Sequence, residues 1–224
     1  MVDAEPEPGA GLLVPDRPAE RLVLDEGAWV DVVRGWVRDP DDAYSTIEAG
    51  VPWRASTVFR YDRSIEEPRL GSWWRVGHGA PHPVVIEAHR SLQRRYRVHF
   101  DGCGLAYYRD ERDSVTFHRD RDMRWLDDTV IALLVLGEQR PFLLRPRTNR
   151  HSHHLAAGGA THDLSPAGGD LLVMGGACQA RWEHSVPKVA RRASGRISLQ
   201  WRWTSRQGPQ ERGGSYRAPR RYST

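Results

Sequence analysis

Two cysteines are all that this 224-residue chain contains. Cys103 and Cys178 lie far apart without Cys-x-x-Cys spacing, which argues against a disulfide framework, a zinc ribbon or a dithiol redox centre. A reduced, cytoplasmic setting is expected. Lysine is scarcer still, Lys188 alone, so arginine carries nearly all of the positive charge. No apolar run approaches the roughly 18 residues that cross a bilayer. The opening MVDAEPEPGA lacks the basic and apolar parts of a signal peptide, so no membrane association is expected.

What is present is a basic balance, 33 Lys and Arg against 29 Asp and Glu, in a length that suits one large domain. Forked guanidinium groups suit phosphate and carboxylate partners, which permits a nucleic-acid partner without requiring one. Residues 1–19, rich in Pro, Gly and Glu, read as a flexible lead-in, and 207–224 as a flexible basic tail. The folded body is expected over 20–206, as a single domain. RLVLDEG reads as a short strand. GAWVDVVRGWVRD reads as a helix, because Trp29, Val32, Val33 and Trp36 recur at helical spacing. A second helix is expected in HPVVIEAHRSLQRRYRVHF, with Val85, Ala88 and Leu92 inward. After Asp101 come short strand-like pieces: GLAYYRD, DSVTFHRD, TVIALLVLG, RPFLLRPR, HHLAAG, GDLLVMGG and GRISLQWRW. A mostly β fold with flanking helices, a sandwich or jelly roll, follows from that order.

The chemistry begins at DSVTFHRD. If the strand alternation continues, His118 and Asp120 share a face, and His184 in WEHSVP can complete a set of two imidazoles and one carboxylate. Such a set suits non-haem Fe(II), whose remaining positions stay open, although zinc can use the same trio. Alone, the His-x-Asp pair reads more readily as a solvated pair or a hydrogen-bonded turn than as a metal site. In GRISLQWRW, Ile197, Leu199, Trp201 and Trp203 take one face and Arg196, Ser198, Gln200 and Arg202 the other. Either this is an edge strand with a wet polar face, or the arginines turn inward to hold a dicarboxylate.

Taken together, YYRDERDSVTFHRDRD, VIALLVLGEQRPFLLR, GDLLVMGGACQARWEHSVPK and RISLQWR resemble the AlkB family of Fe(II) and 2-oxoglutarate dependent dioxygenases, with VPW and PRLGSWW resembling its approach to the nucleotide region. The resemblance covers roughly 50 to 203 and implies a double-stranded β-helix (jelly roll) core with a nucleotide lid at about 50–80. It implies Fe(II) held by His118, Asp120 and His184, and 2-oxoglutarate held by Tyr108, Arg196 and Arg202, with O2 as second cosubstrate. Three positions depart from the family pattern: Ala106 in Asn-Leu-Tyr, and Ser198 and Gln200 in Arg-x-Asn-x-Thr-x-Arg. The implied activity is oxidative dealkylation of 1-methyladenine and 3-methylcytosine in DNA, by a monomer without an obligate protein partner. A related oxygenase acting on RNA, protein or a small metabolite is the alternative, and a binding protein on a degenerate scaffold a third reading.

Duplex bases must leave the stack to be oxidised. Arg69 near the backbone, Trp73 and Trp74 near the base, and Asp122 toward an exocyclic amine are the substrate candidates; for the tryptophans a core position is the competing reading, and for Asp122 a solvated turn. Trp182 reads as structural, and Glu183 either orients a neighbour or faces solvent. Arg109 and Arg112 are candidate phosphate contacts within an otherwise solvated connection, RHSHHLAAGG is a turn without a carboxylate pattern, and RAPRR is either a nonspecific nucleic-acid contact or a loose end.

Overall fold

ERLVLDEGAWVDVV folds as a hairpin, not as a strand followed by a helix: β1 (Glu20–Asp25) turns at Gly27, φ +90°, into antiparallel β2 (Ala28–Val33). Side chains in β2 alternate, so Val30 and Val32 enter one core while Trp29 and Val33 meet another. The expected helix is corrected here because β-branched valines fit a strand packed on both faces, and such a run mimics helical spacing. The first helix comes next, α1 (Pro40–Gly50), where Asp39 accepts a hydrogen bond from the Asp42 N–H at 3.2 Å and Pro40 supplies the helix start. The structure is a computed structural model and describes residues 11–60, 63–120, 123–147, 160–211 and 221–222.

Onward from α1 run β3 (Arg54–Arg60), β4 (Arg63–Arg75), α2 (Pro83–Tyr96), β5 (Gly102–Tyr108), β6 (Val115–His118), β7 (Thr129–Gly137), β8 (Leu143–Pro146), β9 (His162–Asp163), β10 (Leu171–Gly176), α3 (Cys178–Arg181), β11 (Trp182–Val186), β12 (Arg196–Thr204) and β13 (Arg221–Tyr222). α2 matches its expectation, with Val85, Ala88 and Leu92 fully buried. The strand expected at HHLAAG lies outside the described residues. Among the described residues, nine strands form one sheet in the order β1-β2-β10-β7-β12-β5-β4-β3-β13, and four form a second, β6-β11-β8-β9. This is a mostly β architecture with flanking helices, as expected.

Three layers result. α1 and α2 pack Ala43, Ile47, Val85, Ala88 and Leu92 against one face of the large sheet, on Leu134, Val173, Ile197, Leu199 and Trp201. The other face meets the small sheet through Val30, Ile131, Leu133 and Met174 against Phe142, Leu144, Trp182 and Val186. β12 lies between β5 and β7, so GRISLQWRW is a central strand and its edge-strand reading is overturned. Its arginines therefore face the gap between the two sheets.

Both expected loose ends are partly seated. Leu13 is buried, and the Glu87 carboxylate accepts from the Leu12 and Leu13 N–H groups at 2.9 and 3.1 Å, so the lead-in is anchored from residue 11 onward. Beyond Arg206, Gln210 bridges to Trp125, Glu211 pairs with Arg119, and β13 adds to β3. An apolar leucine pair and a well-placed glutamate supply local anchors that composition averages conceal. Cys103 and Cys178 are both buried and not disulfide-bonded.

Candidate active site

β6 and β11 pair antiparallel with His118 directly opposite His184, which places both imidazoles on one face with ring centroids 4.3 Å apart. β6 ends at His118. Asp120 thus reaches the pair from the loop beyond and not by strand alternation, which corrects the geometry expected of DSVTFHRD. Ligand atoms of His118, Asp120 and His184 all lie within 4.8 Å of one another. The His118 Nδ1 is 2.9 Å from the Thr116 carbonyl; as an N–H it donates there, leaving Nε2, 3.6 Å from Asp120 Oδ1, with its lone pair toward the carboxylate. His184 stacks on Phe142.

Electrostatics keep this set ready for a cation. Burial pushes the His184 pKa down to about 3, helped by His118, and burial also lowers that of His118. For Asp120 burial acts upward, but Arg202 and the two imidazoles outweigh it and hold the carboxyl well below its ordinary range. Arg202 Nε donates to Asp120 Oδ2 at 2.9 Å. Two neutral imidazoles and one carboxylate are what a divalent metal requires of its ligands. The buried His184 Nδ1 has no hydrogen-bond partner among the described residues. The donor set fits Fe(II).

A second feature lies along β12. Arg196 is fully buried, opposite Tyr108 in register; one nitrogen donates weakly to the Arg140 carbonyl at 3.4 Å, while Nε and Nη2 have no partner among the described residues. Burial drives its pKa down to about 10. A buried guanidinium with two idle donors is costly unless an anion completes it. The guanidinium carbons of Arg69, Arg140 and Arg196 lie 6.0, 5.6 and 5.9 Å from the centre of the Tyr108 ring. This buried positive cluster suits a dicarboxylate such as 2-oxoglutarate.

The substrate candidates separate. Trp73 and Trp74 are neighbours in β4 and face opposite ways. Trp74 packs in the core, edge-on to His89 with its N–H donated to the His78 carbonyl, on the opposite face of β4 from Trp73. Trp73 is 55% exposed and lies across the backbone of β5. A Cβ on Gly104 would stand 3.3 Å from its ring and 3.2 Å from an Arg202 nitrogen, so the bare glycine is what lets both groups lie flat there. Arg69, expected at the outer surface, is 9% exposed; it donates to the Tyr108 hydroxyl at 3.1 Å and pairs with Glu67, so burial turns it inward, away from an outer phosphate role. Asp122 lies outside the described residues, as do RHSHHLAAGG and all of RAPRR except Arg221, which begins β13. Arg109 and Arg112 are spent on Asp113 and Asp110. Trp182 donates to Asp25, and Glu183 pairs with Arg145, which makes both structural. Arg202, expected at the cosubstrate end, grips the carboxylate of Asp120.

Sequence reasoning missed Arg140 and Gln179. Arg140 is fully buried and donates to the carbonyls of Asp110, Asp113 and Pro187, tying together the loops before β6 and after β11. Gln179 accepts from the Asp120 N–H at 2.9 Å. Neither carries a pattern that strand or helix periodicity reveals.

A profile of the 2OG-Fe(II) oxygenase superfamily matches residues 74–202. The chain is 27% identical over 226 residues to the alpha-ketoglutarate-dependent dioxygenase alkB homolog 3 of Bos taurus, covering 90% of this chain and 78% of that protein. It is 26% identical over 195 residues to an Arabidopsis thaliana protein named DNA oxidative demethylase ALKBH2, covering 71% and 60%. It spans only 55% of the rat alkB homolog 3. Among solved structures, an oxidoreductase of the 2OG-Fe(II) oxygenase family from Burkholderia pseudomallei superposes with a TM-score of 0.54 at 14% identity, covering 82% of this chain and 89% of that one, a likeness of fold alone.

Proposed function

Because the chain belongs to the 2OG-Fe(II) oxygenase superfamily and carries its His, Asp, His set, it is a dioxygenase dependent on Fe(II), 2-oxoglutarate and O2, and we propose that it oxidatively dealkylates N-alkylated nucleic-acid bases, 1-methyladenine and 3-methylcytosine in DNA foremost. The observation that carries this reading is Trp73, a largely exposed indole spread over Gly104 beside the arginine that grips Asp120. An open aromatic face next to a metal set suits a flipped-out base, since base stacking on an indole contributes about 1–3 kcal/mol. The names of the similar proteins, alkB homolog 3 and DNA oxidative demethylase, favour the same class.

In this reading His118, Asp120 and His184 hold iron, and Arg196 holds the distal carboxylate of 2-oxoglutarate through its two unpaired donors, with Tyr108 beside it. Arg202 keeps Asp120 ionised and oriented. When bound there, iron with 2-oxoglutarate and O2 would supply the oxidising chemistry, one oxygen atom going into a substrate C–H bond and the other into succinate as 2-oxoglutarate loses CO2. On an N-methyl group the product is a hydroxymethyl that leaves as formaldehyde. Arg69, inside the site, contributes positive charge next to Tyr108. We read the facing sheets as a double-stranded β-helix within a single domain over 20–206, with the β3–β4 region (about 50–80) as nucleotide lid. We further propose a cytoplasmic monomer. No helix among the described residues is long and apolar enough to cross a membrane.

Reconstitution with Fe(II), 2-oxoglutarate and O2 on methylated single-stranded DNA, duplex DNA and RNA tests this. Formaldehyde released in step with succinate on a DNA strand is the expected result. Succinate formed without demethylation of any nucleic acid would move the substrate to a protein or small metabolite. His118→Ala should abolish both products.

A further inference from the structure

His118 and His184 are fixed by strand pairing, but Asp120 lies past the end of β6, where no ladder holds it. Its support comes from two other places. Gln179, fully buried on α3 just before the strand that carries His184, accepts the Asp120 N–H at 2.9 Å. The preceding residue, Arg119, has one nitrogen within 3.5 Å of the carbonyls of Gln179 and Ala180, and another on the Glu211 carboxylate at 2.7 Å. The Arg119 side chain is only 7% exposed, so this ion pair is not an incidental surface contact.

Glu211 belongs to a segment that returns along the Asp120 loop. Thr204 Oγ1 donates to the Trp125 carbonyl at 2.8 Å, and the Ser205 N–H to that of Asp128 at 3.1 Å. The chain then turns through Gly208 at φ +81°, Gln210 bridges Trp125, and the Glu211 N–H donates to the Arg124 carbonyl at 2.7 Å.

We propose that Gln179 and the Arg119–Glu211 pair are positioning residues, and that segment 204–211 closes a clasp over the loop carrying Asp120 which sets how tightly the site retains its metal. The clasp rests on the metal set and not on the substrate. Groups that orient metal ligands typically change affinity 10- to 100-fold when removed. Glu211 is half-buried, so its replacement leaves the core intact.

The experiment uses the full chain and Mn(II) as the probe, titrated by electron paramagnetic resonance, with hydrogen exchange of the metal-free protein measured alongside. For Glu211→Ala we expect Mn(II) affinity to fall about 10-fold and amides of 119–120 and 123–128 to exchange faster, while those of β7 and β12 do not change. Glu211→Gln, which keeps an acceptor without the charge, should fall between. Gln179→Leu should show the larger loss and the fastest exchange at Asp120. Affinity within twofold of wild type for Glu211→Ala, with exchange unaltered over 119–120 and 123–128, overturns the clasp. If the unaltered protein itself fails to bind Mn(II), it is the metal assignment that falls.

Discussion

Parity decides between neighbours that composition treats alike. Trp73 and Trp74 are both plausible base contacts until β4 is recognised as a strand, and the strand then sends one outward over Gly104 and the other into the helix-side core. Trp73→Ala should therefore raise KM for a methylated oligonucleotide by about 10-fold while leaving the melting temperature nearly unchanged. Trp74→Ala should cost about 3–5 kcal/mol in urea unfolding, from the cavity it leaves. A Trp73 variant with wild-type kinetics on nucleic acid would remove the support for a stacked base. Arg196 was legible for the same reason, since alternation in RISLQWRW already separated its polar face. Only the structure shows that two of its donors are buried and idle. A lysine cannot present that fork. Arg196→Lys should weaken 2-oxoglutarate binding about 10- to 100-fold in calorimetry, the range of a lost charge-assisted bond, with Mn(II) affinity preserved.

At the scale of elements, the sequence spoke clearly where pattern and caps agreed and misled where they did not. α2 has a Pro start, an apolar stripe and a left-handed Arg97 at its end, and it was read correctly. The run from Trp29 to Trp36 places its apolar residues at spacings that a doubly buried strand also satisfies, so periodicity alone could not separate the two. The decisive signal was next to it: Asp39 and Pro40, followed by Asp41 and Asp42, mark a helix start at 40, which a helix already running through 36 would leave no room for. Asp39→Ala should then destabilise the protein by about 1 kcal/mol in urea denaturation, with the midpoint moved and the slope preserved. No change would mean that packing of Ala43 and Ile47 alone sets this helix.

For the whole molecule, the metal set joins layers that are otherwise held apart by apolar packing. His118 and His184 come from the small sheet, while Arg202, from the centre of the large one, reaches across to Asp120. That connection was not legible in the sequence, because it depends on which strands neighbour one another and on a loop held by Gln179. It also bears on stability. Without a cation, the Asp120 charge is answered by Arg202 and burial favours both imidazoles neutral, so the metal-free chain is expected to stay folded. Metal then adds only its binding free energy, about 2.7 kcal/mol at a hundredfold excess over Kd. In a chain of this length that corresponds to a rise in Tm of about 5–10 °C. Chelation in a thermal melt should lower Tm by that amount and leave a cooperative transition, and His118→Ala should melt near the chelated wild type whether or not Mn(II) is added. A Mn(II)-dependent rise that persists in His118→Ala would place the stabilising ion somewhere other than between these two sheets.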